Sequence, residues 1–214
     1  MTRTKKKYFA LTVYCLCFFT VWTVFELCVK SDISSQFIKS GIIKPAVWTL
    51  PAMLLIHKFR DTVRIGLKEM FIIKVDRRRY LWVYALLVVW PAAGGLFQPG
   101  GLSFGIDPDS LIIVLFAGIT EETAFRGWLL NATAEDMPDA AAVLINAVLF
   151  LAVHFPRWIH EGIFISTFTS FNFIGIVALG IIFGVSFLKS KNILVPITMH
   201  MLYDFTAFAF LPQA

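Results

Sequence analysis

The chain alternates long apolar runs with short polar connections, most of them basic. The runs cover Tyr8 to Val29, Ile42 to Phe59, Tyr80 to Phe97, Ser110 to Ala132, Ala140 to Phe155, Phe171 to Leu188 and Ile193 to Leu211. A helix needs about 20 apolar residues to cross a bilayer. The pattern therefore predicts an all-α fold, a polytopic transmembrane helical bundle of seven spans. Ile159 to Ser170 is apolar but too short to cross unless it merges with a neighbour, so it reads as a re-entrant or interfacial piece and makes the count seven or eight.

The connections add detail to this picture. The segment Lys58 to Arg79 places Val63, Leu67, Met70 and Phe71 at helical spacing opposite Arg64 and Lys68. It reads either as an amphipathic helix on an anionic leaflet or as a solvated basic loop. Gly94 to Gly101, "GGLFQPGG", reads as an irregular loop closing the third span. The start has the basic and apolar regions of a signal peptide, but the run continues to Val29 without a small-x-small cleavage site, so an uncleaved first span is expected. With no internal repeat or low-complexity linker, residues 1–214 read as a single integral membrane domain.

Composition agrees: 58% of residues are hydrophobic and only 15% charged, which leaves no room for a sizeable water-soluble domain. The net charge of +5 does not call for nucleic acid, because the basic residues flank the spans. With the first flank inside, inner connections hold fourteen Lys and Arg and outer ones four, Lys30, Lys39, Lys44 and Arg157. This predicts a cytoplasmic N-terminus. Cys15, Cys17 and Cys28 form no CxxC pair and read as apolar packing residues.

Charges inside the spans are the informative exceptions. The fourth span, "LIIVLFAGITEETAFRGWLL", carries Glu121, Glu122 and Arg126 near its middle. Each intramembrane ionisable group costs roughly 2.5–3.5 kcal/mol, so three in one span need partners. Glu122 and Arg126, four residues apart, share a helix face and can pair. Glu121 is rotated by about 100° and is left for other work. "NAVLFLAVHF" puts Phe150 and His154 on one face, and "PITMHMLYDF" does the same for His200 and Asp204. A lone mid-span histidine is usually a packed interhelical contact, and a lone Glu–Arg pair can be a structural lock. Two carboxylates, an arginine, two histidines and an aspartate on three spans point to chemistry. Glu26 has no obvious partner and reads as interfacial; His57 and His160 carry no functional expectation.

The order EExxxR (Glu121, Glu122, Arg126), FxxxH (Phe150, His154) and HxxxD (His200, Asp204) on successive apolar helices resembles the CAAX protease and bacteriocin-processing family of intramembrane proteases. That family is also called Abi and includes the Ras-converting CAAX endopeptidase. The resemblance covers about 110–211 and implies a catalytic core there. It implies an endopeptidase that hydrolyses a membrane-associated peptide or protein, with Glu121, Glu122, His154, His200 and Asp204 catalytic, and Arg126 and Phe150 supporting. Glu121 would be the general base, His154 would help hold the water, and His200 with Asp204 would face the oxyanion. Many members have Asn where this chain has Asp204, which keeps an acceptor and loses the amide donor. Zinc is one implied cofactor, with Glu121, His154 and His200 as candidate ligands, but there is no HExxH helix and a metal-free glutamate mechanism is also sufficient. The metal and the oligomeric state stay open. The lipid bilayer is an expected partner, and a bacterial plasma membrane the expected location. Two other classes remain: a non-catalytic immunity or scaffold protein of the same fold, and a proton-coupled transporter.

Overall fold

Backbone N–H and C=O groups facing lipid can be satisfied only within their own helix, and each long apolar run obeys this constraint. The structure is a computed structural model that describes residues 2–98, 101–102 and 104–211; no strand occurs among them. Helix α1 runs Arg3–Asp32, with a wider π turn at Phe25–Val29, and α2 covers 36–58. The chain continues with α3 (Glu69–Ile72), α4 (Leu81–Leu96) and α5 (108–133). Then come α6 (Asp139–Ala152), α7 (Phe155–His160), α8 (Phe164–Thr169), α9 (Phe173–Ser190) and α10 (Leu194–Phe210).

Among the described residues, four helical runs are long and apolar enough to cross a bilayer: Arg3–Asp32, Arg78–Leu96, Asp139–His160 and Phe173–Ser190. The outward faces agree with a lipid surround. Leu16, Leu54, Trp82, Val89 and Ile174 are all more than half exposed, a pattern that water would penalise. The protein is an integral membrane protein. Helix α10 is apolar but shorter, and α5 carries its charges at mid-length.

Small residues set the helix spacing. Helix α6 packs along α9, and α10 lies against both α4 and α5. A methyl on Gly118 of α5 would fall 2.7 Å from Met201 Cγ and 3.1 Å from the Ile197 carbonyl oxygen of α10. One on Gly180 of α9 would fall 3.0 Å from both Cα and Cβ of Ala147 on α6. Glycine permits these close approaches, which membrane helices use in place of a hydrophobic driving force. Beside them, Tyr14, Phe18 and Trp22 from α1, Trp48 from α2 and Phe125 and Trp128 from α5 form an aromatic core, with Phe18 and Trp48 edge-to-face at 4.8 Å.

Several expectations change. Gly94 and Gly95 are helical, and Gly95 meets the Phe210 carbonyl so closely that a methyl would lie 2.7 Å away; Pro99 and Gly100 of the expected loop lie outside the described residues. Ile159 to Ser170 folds into the end of α7 and all of α8, each six residues long and too short to cross. The Lys58–Arg79 segment forms only the single turn α3, because polar partners capture its backbone. Asn131 accepts from Ile65 N–H at 2.9 Å and donates to its carbonyl at 2.7 Å; Ile193 N–H donates to the Met70 carbonyl at 2.8 Å, and Asn192 Nδ2 to that of Ile73 at 2.7 Å. Val63, Ile65 and Met70 are thereby buried. Glu26 is buried and accepts from Lys30 at 2.7 Å. Of the cysteines, Cys15 is half-buried while Cys17 and Cys28 are exposed.

Candidate active site

Helix α5 changes pitch where its charges lie. It is α-helical to Glu122 and π-helical over Thr123–Leu130, the wider winding that often marks functional sites. The Glu122 and Arg126 side chains are completely buried. Arg126 Nη1 donates to Glu122 Oε1 at 3.0 Å and Nη2 donates to the Gly180 carbonyl at 3.1 Å. Its guanidinium lies 4.4 Å from the centre of the Phe150 ring and 5.5 Å from that of Phe183. The pair predicted from spacing is present, and it also ties α5 to α9.

His200 enters from α10, stacked on Phe183 with ring centres 5.1 Å apart. Its Nδ1–H donates to Glu122 Oε1 at 2.8 Å. That bond turns Nε2 the other way, to 3.4 Å from Asp204 Oδ2 and 3.9 Å from Glu121 Oε2. The Phe150 ring stands edge-on to both histidines, with centres 5.2 Å from His154 and 6.0 Å from His200. His154 Nδ1 lies 2.7 Å from the Phe150 carbonyl. A carbonyl can only accept, so Nδ1 carries the proton and Nε2 is left with a free lone pair.

Glu121 is where the sequence reading falls short. It avoids Arg126, as its rotation requires, but it is not unpartnered: Oε1 accepts from Lys44 Nζ at 2.5 Å. Lys44 had been counted with the outer topological charges, yet its side chain is only 13% exposed and its ammonium lies 4.6 Å from the centre of the Trp48 ring. Its position in the second apolar run, beside Trp48 four residues on, was the available signal. The sequence reading also missed Asn146, which donates to the Phe125 carbonyl of the π segment at 2.9 Å.

The structure thus gathers Glu121, Glu122, Arg126, His200 and Asp204 into one polar cluster, with Phe150 bridging to His154. Buried within it, Glu122 Oε2 and Arg126 Nε have no hydrogen-bond partner. The arrangement can hold a water or carbonyl against Glu121 Oε2 and His200 Nε2. For zinc the fit is poor. Among the described residues no three His, Cys, Asp or Glu side chains converge as a metal set, and Lys44 already occupies one oxygen of Glu121.

Below the site, Lys7 at the start of α1 is fully buried and donates to the carbonyls of Thr62 and Ala132 at 2.8 and 2.9 Å and to Asp136. The Lys7 hydrogen bond holds the Asp136 carboxyl below the usual range.

The family described as type II CAAX prenyl endopeptidase Rce1-like matches residues 107–206, the stretch from the start of α5 into α10 that carries these motifs. No curated protein and no solved structure matches the chain. Through residues 107–206, the chain belongs to the CAAX protease and bacteriocin-processing family.

Proposed function

We propose that this protein is an intramembrane endopeptidase that hydrolyses a peptide bond of a membrane-associated peptide or protein with a water activated by Glu121. The observation that carries the reading is the meeting of Glu121 Oε2, His200 Nε2 and Asp204 Oδ2 around one small space, separations of 3.9 and 3.4 Å from Nε2.

Glu121 takes a proton from the water as its oxygen bonds to the scissile carbonyl carbon. The carbonyl electron pair moves onto oxygen, and His200 Nε2, with Nδ1–H anchored on Glu122, donates to that oxyanion when protonated there. His154 Nε2 accepts the water's second hydrogen. As the C–N bond breaks, the proton held by Glu121 passes to the leaving amine. Glu122 and Arg126 position His200, and Phe150 fixes the spacing of the two imidazoles. Asp204 accepts at Nε2, where an asparagine would also offer a donor, so this chain relies more on His200 for oxyanion contact. No step requires a metal.

In this reading the domain is the whole chain, with seven spans, a cytoplasmic N-terminus and a bacterial plasma membrane as its site. The surrounding bilayer delivers the substrate laterally. Comparative peptidomics of cells carrying wild type or Glu121→Ala tests it: cleavage products present only with the wild type are expected. Identical peptide profiles at equal protein levels would rule out the endopeptidase.

A further inference from the structure

Lys44 lies outside the residues that match the family, yet it makes the shortest contact to the proposed base. Its place is built with care. Helix α2 winds as a π-helix over Ile38–Ile43 and again over Pro45–Thr49, and Lys44 sits at the junction, followed by a proline that has no N–H to give. The wide turns aim the side chain inward at α5, where Gly41 fits against Phe116 closely enough that a methyl would lie 3.1 Å from its ring. Fully buried Trp48 and buried Trp22 then flank the ammonium at 4.6 and 5.8 Å. Aromatic faces stabilise a cation in such a setting without competing for its hydrogen-bond donors. An ammonium held this way, bonded to one carboxylate oxygen, fills the position a divalent cation would need on Glu121; a second cation on the same group would meet direct repulsion.

Resting on the reading of Glu121 as the base, we propose that Lys44 is the resident cation of the site: a positioning residue that fixes Oε1 so that only Oε2 faces His200, and that supplies by side chain the positive charge a metal would bring. Lys44 stays protonated throughout and forms no covalent bond. When Glu121 takes the proton from water, the Lys44 charge remains within the cluster and opposes the charge developing on the substrate oxygen.

The experiment uses the purified full-length protein in lipid with a substrate found by peptidomics. Displacing a catalytic group by about 1 Å can cost about a hundredfold in rate, so Lys44→Met is expected to lower kcat by about tenfold to a hundredfold with KM changed less than about twofold, and Lys44→Arg to recover most of it. A merely structural lysine would not produce that split and rescue at an unchanged unfolding midpoint. Wild type dialysed against a strong zinc chelator is expected to keep its activity and to hold no stoichiometric metal. If Lys44→Met does not fold, this metal arm decides alone. Wild-type kcat in Lys44→Met, or activity lost on chelation and restored by zinc, overturns the proposal. A Glu121→Gln protein that is inactive beside a fully active Lys44→Met removes this inference while leaving the base assignment; an active Glu121→Gln removes both.

Discussion

Replacing Arg126 with methionine removes the guanidinium from a place where neither it nor Glu122 has any solvent exposure. Three contacts go with it: the 3.0 Å bond to Glu122 Oε1, the 3.1 Å bond to the Gly180 carbonyl, and the cation over Phe150 at 4.4 Å. Methionine restores contact with the ring and restores no donor. Breaking a buried ion pair from one side costs about 3–5 kcal/mol, because the remaining charge is stranded. Here His200 still donates to Glu122 at 2.8 Å, so the expected loss is at the lower end, about 3 kcal/mol. Equilibrium unfolding in lipid bicelles measures it. The companion variant Arg126→Met with Glu122→Gln removes the stranded charge and should be more stable than Arg126→Met alone by about 1 kcal/mol or more. A loss below about 0.5 kcal/mol for Arg126→Met, or a double variant whose losses simply add, would refute the buried lock.

Two further predictions concern the frame. Gly180→Val forces a side chain to within 3.0 Å of Ala147 and pushes the Arg126 acceptor outward, with an expected loss of about 1–3 kcal/mol in the same unfolding assay and a lower kcat. Lys7→Met should lose stability only above the range in which Asp136 titrates. The folded carboxyl is held below its ordinary value of about 3.9 by the Lys7 bond, so the stabilisation is present above about pH 4 and fades as pH falls through the folded value. The two proteins' unfolding midpoints should therefore converge on acidification; a constant gap from pH 7 to pH 3 would contradict the assignment.

Much of the helical framework was legible because lipid leaves the backbone few choices, and the long helices fall where the apolar runs were drawn. The Glu122–Arg126 pair was legible too, since both residues lie on one helix and spacing decides the matter. What spacing cannot give is the partner contributed by another helix. Lys44 and Lys7 look like topological charges in the sequence, and both are drawn inward by Glu121 and by the Ala132 and Thr62 carbonyls. The loop after α2 has helical spacing, but Asn131, Asn192 and Ile193 compete for its backbone and win all but one turn. The π windings around Lys44 and after Glu122 leave no mark in hydropathy; they depend on how α2 and α5 pack.

The central claim is that Glu121 Oε2 activates the water. Single-turnover cleavage of an identified substrate by purified Glu121→Gln, with the wild-type fold verified by its unfolding midpoint, tests it most directly. The account predicts a rate lower by about a hundredfold or more, since glutamine keeps the shape and loses the proton acceptor. Cleavage within about twofold of wild type by the folded variant would contradict it.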